Sequence, residues 1–420
     1  MDPQEIASGA PRHAPMTQFA CAGGQLLVGG EALSTLAERV GQTPFFAYDR
    51  ALLRRRVDEL RSALPAGIRL HYAMKANPMP AVVGLMAQLV DGIDVASAGE
   101  LKIALDAGAD PREISFAGPG KREAELRQAV ASRVLLNLES MREVGLLKDI
   151  SAQLGIAARV AVRVNPDFEL KGSGMKMGGG PKQFGVDVEQ VPAMLDAIAA
   201  AGLAFEGFHL FAGSQNLRAE AICEAQLKSY ELALRLAAHR PEAVRSLNLG
   251  GGFGIPYFPG EQRLDLAAIA DNLQRIQQRA TRDLPQATIV LELGRYLVGE
   301  AGVYVTRVLD RKESRGKVFL VTDGGLNHHL SASGNFGQVI RKNYPVATGI
   351  LQGEAAAEVG LEEATVVGPL CTPLDLLADR MTLPVAQPGD LVVVFQSGAY
   401  GASASPQAFL GHPGCTEVLV

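Results

Sequence analysis

The run His71-Tyr72-Ala73-Met74-Lys75-Ala76-Asn77-Pro78 sets a lysine at the end of an apolar stretch. Asn77-Pro78 stops a strand there, because proline has no N–H to give a sheet and restricts the residue before it. Lys75 therefore projects its amine from a strand tip into surrounding loops, where parallel α/β barrels carry their reactive groups. A desolvated lysine amine has a lowered pKa and can form a Schiff base with an aldehyde. Taken alone, a lysine near a strand end is more often a solvated charge.

Other segments offer matching chemistry. Gly250-Gly251-Gly252 follows the apolar Leu247-Asn248-Leu249, and consecutive glycines let backbone N–H groups cradle a phosphate. A tight turn explains the same glycines, and neither a P-loop nor a dinucleotide fingerprint is present. Glu292 ends a further strand pattern just before Gly294-Arg295; the carboxylate can keep a pyridine nitrogen protonated and the guanidinium can meet a phosphate, or the two can be a surface ion pair. Cys371 lies in the turn Gly368–Asp375, a place for an acid or nucleophile rather than the inert buried position commoner for cysteine. Tyr400, between Ala399 and Gly401, offers a phenol at another strand end. His328-His329 lacks the spacing of helical metal ligands, so no metal site is expected. The lysines Lys171, Lys176 and Lys182 mark a loop that is either solvated or receives an anion.

Strand and helix patterns that could position these residues alternate from Thr43-Pro44 to about residue 295. Candidate strands are Phe45–Tyr48, Leu70–Met74, Gly92–Ala96, Glu113–Phe116, Val134–Asn137, Ala158–Val164, Ala204–His209, Ser246–Leu249 and Thr288–Leu291, with helical stretches such as Ala51–Ala63, Gly99–Ala107 and Pro192–Ala201 between them. Such alternation predicts a parallel sheet, and about eight units over about 250 residues point to a closed (β/α)8 barrel. After Gly294 the β-branched runs Val303–Val308, Lys317–Thr322, Ala364–Val367 and Leu391–Phe395 predict an antiparallel β domain. The expected division is an N-terminal segment 1–43 contributing to the β domain, a barrel at 44–295 and a C-terminal β domain at 296–420.

A chain of 420 residues is too long for one ordinary core. With 47% hydrophobic and 20% charged residues it has a soluble globular composition. A net charge of −5 gives no electrostatic reason to expect nucleic acid or anionic membrane as partner. No apolar run approaches a membrane span, and the first residues do not read as a signal peptide. Four scattered cysteines, Cys21, Cys223, Cys371 and Cys415, fit a reducing cytoplasm better than a disulfide framework.

Taken in order, these motifs resemble the fold-type-III pyridoxal-phosphate decarboxylases, the group acting on diaminopimelate, ornithine and arginine. The resemblance runs from Thr43 to Val420 and includes Val95–Leu101, Arg163-Val164-Asn165-Pro166, Gln183-Phe184-Gly185 and Gly213-Ser214-Gln215. It implies an alanine-racemase-like barrel that binds pyridoxal 5'-phosphate, with a β domain, and a head-to-tail homodimer with active sites at the interface. It also implies Lys75 as the Schiff-base lysine and Glu292 as the partner of the pyridinium nitrogen. Ser214, Gly250, Gly251, Gly252, Gly294, Arg295 and Tyr400 stand at cofactor-binding positions. Cys371 is similar to the acid that protonates the carbanion from the other subunit, with Asp375 beside it.

Departures from the family pattern bear on substrate. Phe211 stands where most members stack a histidine on the cofactor, while His209 matches an earlier histidine of the diaminopimelate pattern. Thr372 stands where an acidic residue meets a distal ammonium in diaminopimelate and ornithine enzymes. An ammonium left unpaired in a buried pocket would cost several kcal/mol. Thr372-Pro373, Met177-Gly178-Gly179, Gly254–Phe258, Arg341–Pro345 and Phe409–Pro413 resemble one branch, which includes decarboxylases of glutamyl-acyl-carrier protein in butirosin formation and those associated with exosortase systems. Arg341, Tyr344, His209, Thr372 and Asp375 are then expected near the substrate. The expectation is decarboxylation of an amino acid joined by its side-chain carboxyl to a carrier protein. Alternatives are decarboxylation of free diaminopimelate, lysine or ornithine, or a pyridoxal-phosphate-binding homologue without turnover.

Overall fold

Eight short strands close into a parallel barrel in a computed structural model, which describes residues 16–168, 175–176, 179–239, 242–338, 341–349 and 359–420. They are β1 (Arg69–Ala73), β2 (Gly92–Val95), β3 (Ile114–Phe116), β4 (Leu135–Leu138), β5 (Arg159–Asn165), β6 (Ala204–Leu210), β7 (Ser246–Gly251) and β8 (Thr288–Leu293). Each pairs in parallel with the next, and β8 returns to β1. A helix lies between each strand and its successor, as parallel crossovers require. All their C-terminal ends consequently open on one mouth, where the sequence expects the chemistry.

The chain divides into two units. One, containing the barrel, spans Val57–Gly254 and Leu264–Leu297; the other gathers the chain up to Arg56, Ile255–Arg263 and Val298–Val420. The strand Phe45–Tyr48, expected in the barrel region, instead pairs with Gly302–Val305 and with Thr416–Leu419 of the β unit. All four of its residues are buried, Phe45 and Ala47 within a core holding Leu26, Leu33, Val303 and Val393 and Phe46 against Tyr304 and His329. The β sheet is also mixed rather than antiparallel. Lys317–Thr322 runs parallel to Leu361–Val367, and Thr416–Leu419 runs parallel to Phe45–Tyr48. Alternation within one strand carries no sign of its partner's direction.

Candidate active site

Tyr72 fixes the turn that carries Lys75. Its buried hydroxyl donates to the Asn77 carbonyl at 2.7 Å, and the Asn77 side chain accepts from the Met79 N–H at 3.0 Å. Lys75 sits in the single turn Met74–Ala76 directly after β1, with its amine 4.0 Å from Glu292 Oε1 and 5.3 Å from the centre of the Phe211 ring. The lysine side chain is 44% exposed and thus reachable, whereas that of Glu292 is 8% exposed. At the end of β8, a Cβ on Gly294 would lie 2.9 Å from Ala76 Cβ, so glycine lets the exits of β8 and β1 close on each other.

Burial by itself would raise the Glu292 carboxyl, but a 2.9 Å hydrogen bond from buried His209 and the charges of His209, Lys75 and Arg163 overcome it and hold the group well below the usual carboxylate range. An ionised carboxylate can only accept, so His209 Nε2 carries the proton it donates to Oε2. His209 Nδ1 and Ser214 Oγ are buried and have no hydrogen-bond partner among the described residues.

Gly250 has φ +69°, and a Cβ there would lie 2.7 Å from the Leu210 carbonyl oxygen; one on Gly251 would collide with the carbonyl oxygen of Glu292. The glycine turn thus lies against β6 and β8, next to Phe211 and Glu292. Its Gly250 N–H donates to Asn248 Oδ1 at 2.8 Å, while Asn216 N–H donates to the Gly252 carbonyl at 2.9 Å. Arg295 opens the short helix Arg295–Val298 beyond β8.

These groups fit pyridoxal phosphate. The mouth has a reachable lysine amine, an ionised carboxylate for a pyridine nitrogen, an aromatic face in Phe211, and a glycine turn that side chains would fill. The unpartnered Ser214 hydroxyl suits a phosphate oxygen.

Several buried groups of the barrel were given no role by the sequence reading. Arg163 Nη1 meets Glu139 Oε1 at 2.9 Å and the guanidinium lies 5.0 Å from the Phe184 ring. Glu139 also accepts from the N–H groups of Gly118 and Gly185 at 2.6 and 2.9 Å, tying the loops after β3 and β5 to the end of β4. Lower in the barrel, His71 Nδ1 lies 3.1 Å from Asp94 Oδ1, which also accepts from Ser115, and Ser115 accepts from Asn137 at 3.3 Å. A half-buried pair had a local signal: in Ser97-x-x-Glu100, within the Val95–Leu101 run, Ser97 caps the Glu100 N–H and Glu100 reaches back to the Ala96 N–H.

The β unit holds the remaining expected residues. Cys371 is an exposed free thiol. Thr372 Oγ1 accepts from the Leu374 N–H at 3.3 Å. Asp375, expected as a substrate contact, is buried instead, and its two oxygens accept from Leu326 and Leu370 N–H at 2.6 and 2.7 Å. Burial pushes its carboxyl pKa up, and those bonds offset only part of the rise. Asp375 therefore holds the turn that displays Cys371. Tyr344, also expected near substrate, is buried with its ring 4.7 Å from Tyr257 and 5.5 Å from His329. The Tyr400 ring lies 6.3 Å from Phe336. Arg341 is half-buried and donates to the Leu376 carbonyl at 2.8 Å. Lys171 and Met177-Gly178 lie outside the described residues. Lys176 is placed through its backbone, paired with Gly213. His328 and His329 are buried within hydrogen bonds to Pro413 and Ser397, and among the described residues no group of three His, Cys, Asp or Glu could hold a metal. No helix there is long and apolar enough to cross a membrane.

A closed barrel with a strand-tip lysine facing a buried carboxylate defines a pyridoxal-phosphate enzyme of the alanine-racemase-like fold. The family described as pyridoxal-dependent decarboxylase, pyridoxal binding domain, matches residues 50–299, and the chain belongs to it. It is 41% identical over 382 residues to the L-glutamyl-(BtrI acyl-carrier protein) decarboxylase of Niallia circulans, covering 90% of this chain and 89% of that one. It is 34% identical over 400 residues to diaminopimelate decarboxylase of Aquifex aeolicus, covering 94% and 91%. The crystal structure of diaminopimelate decarboxylase from Helicobacter pylori complexed with L-lysine superposes with TM-score 0.81 at 31% identity, covering 92% of this chain and 94% of that one. The chain is thus a pyridoxal-phosphate-dependent amino-acid decarboxylase.

Proposed function

We propose that the substrate is an amino acid acylated through its side-chain carboxyl, a γ-glutamyl group on an acyl-carrier protein, whose α-carboxylate leaves as CO2. The turn Cys371–Asp375 carries this reading. Its one carboxylate, Asp375, is buried and spent on two backbone N–H groups, and Thr372 brings no charge. The turn therefore presents a thiol without a counter-ion for a distal ammonium. An amide- or thioester-linked side chain has no such ammonium and needs none. The likeness to the glutamyl-carrier decarboxylase supports the same substrate. CO2 release should be measured from carrier-linked γ-glutamate and from free meso-diaminopimelate, lysine and ornithine. The expected kcat/KM favours the carrier-linked substrate by about 100-fold or more, the scale of an unpaired buried charge. If meso-diaminopimelate is the best substrate, the reading falls and free amino-acid decarboxylation replaces it.

Lys75 is the residue for covalent attachment of pyridoxal, Glu292 for the pyridine nitrogen, and Phe211 for the ring face. Ser214, Gly250–Gly252, Arg295 and Tyr400 are assigned to the phosphate. When bound, the cofactor supplies an aldehyde for the substrate amine and an electron sink for the pair left as CO2 departs. Cys371 is assigned to proton delivery at the α-carbon, and the exposed thiol suits service to a second copy of the chain. Lys75→Ala and Cys371→Ala proteins, each inactive alone, should on mixing recover about one quarter of wild-type activity. Half the dimers would be mixed, each with one intact site. No recovery after demonstrated subunit exchange would place Cys371 in its own chain's site.

A further inference from the structure

We propose that a basic cleft on the β unit, formed by Phe258, Arg341, Lys342, Asn343, Asp379 and Arg380, receives the phosphate at the base of a carrier protein's phosphopantetheine arm. This rests on the acylated-substrate reading above. The cleft has a volume of about 390 Å³, within the range of ligand sites. It sets three cationic side chains against one carboxylate, in a chain whose net charge is −5.

The basic groups are held in place. Asn343 and Asp379 exchange two hydrogen bonds, Asn343 Nδ2 to the Asp379 carbonyl at 2.6 Å and Asp379 N–H to Asn343 Oδ1 at 2.9 Å. This pins residues 341–343 along the strand Leu376–Pro384. Arg341 Nη2 donates to the Leu376 carbonyl, while its Nε is buried with no hydrogen-bond partner among the described residues. Lys342 is exposed, with its ammonium 4.6 Å from the centre of the Phe258 ring. Arg380 has φ +48°, a left-handed backbone at a register shift that turns its exposed side chain outward. The exposed Lys342 ammonium and the exposed Arg380 guanidinium, whose Nε lies 3.3 Å from Asp379 Oδ2, suit a phosphodiester: the rest of the guanidinium fork gives directed hydrogen bonds and the ammonium a point charge.

Position selects the source of that phosphate. Leu376, the acceptor for Arg341, is the residue immediately after Asp375, so Arg341 is tied to the strand that leads out of the turn carrying Cys371 and Thr372. A free amino acid has no phosphate to place there.

The test uses the holoenzyme and a Lys342→Glu/Arg380→Glu variant, which changes only exposed side chains. Binding of the unloaded carrier, with and without its phosphopantetheine, is followed by fluorescence anisotropy. Turnover is compared for carrier-linked γ-glutamate and for a short γ-glutamyl thioester lacking phosphate. Wild type should bind the phosphopantetheinylated carrier more tightly than the unmodified one, with affinity falling as salt rises. The variant should weaken that binding about tenfold and lower the preference for the carrier-linked over the short substrate by a similar factor. Wild-type binding by a variant that still prefers the carrier-linked substrate would overturn the cleft and leave the function standing. Equal binding of modified and unmodified carrier, or equal losses on both substrates, would also overturn it. Turnover of free amino acids only would remove both the cleft and the function.

Discussion

Replacing Lys75 with alanine is expected to lower kcat by roughly 10⁴-fold or more, the scale seen when a covalent group is removed, and to abolish borohydride-stable attachment of pyridoxal. The expectation rests on reach. Lys75 stands at the tip of β1 with a half-exposed side chain, 4.0 Å from the carboxylate assigned to the pyridine nitrogen. Lys121, another lysine of the barrel unit, cannot substitute: it is buried, with its ammonium 2.8 Å from Glu143 and donating to the Gly118 carbonyl. Reduction of the wild-type holoenzyme followed by peptide mapping should find the pyridoxyl group on Lys75. The variant should show none on any lysine. A wild-type label on Lys182, or a variant retaining more than a few per cent of turnover, would remove Lys75 from the role.

What could be read in advance followed from how local each signal is. Lys75, Glu292 and Gly250–Gly252 were legible because each sits at a strand end whose apolar run and terminating residues are neighbours in the chain. Phe45–Tyr48 was misplaced because it resembles a barrel strand in composition, yet its partners Gly302–Val305 and Thr416–Leu419 come more than 250 residues later. Asp375, which the resemblance sets beside Cys371, has its carboxylate turned inward within the β unit. Its direction is set by Leu326 N–H and by the backbone around Gly325 and Gly368, where a Cβ would strike its carboxylate. The Arg163–Glu139 pair was invisible as a pair, because nothing local in β4 or β5 announces that barrel closure brings the two side chains together. Sequence order thus located the strand-end lysine, carboxylate and glycine turn, while the buried groups packed around them became visible only through the tertiary fold.

Glu292→Gln is expected to keep pyridoxal attached to Lys75 while kcat falls by on the order of 10³-fold, the effect of removing one preorganised electrostatic partner. The wild-type carboxylate is buried, yet His209, Lys75 and Arg163 hold it ionised. It can therefore keep a pyridine nitrogen protonated at neutral pH, which a neutral amide cannot. The pH dependence distinguishes this role from a merely structural one. Because the folded pKa of Glu292 is depressed, its ionisation stabilises the fold above the unfolded carboxylate value near 4.3. That contribution is lost only as pH falls from there through the lower folded value. Wild-type kcat should accordingly show no acid limb from Glu292 above about pH 5. The glutamine variant should lose activity uniformly from pH 6 to 9 while keeping its borohydride-trapped label. Near-normal turnover in Glu292→Gln, or loss of the label together with activity, would show that the carboxylate serves the fold or cofactor retention rather than the electron sink.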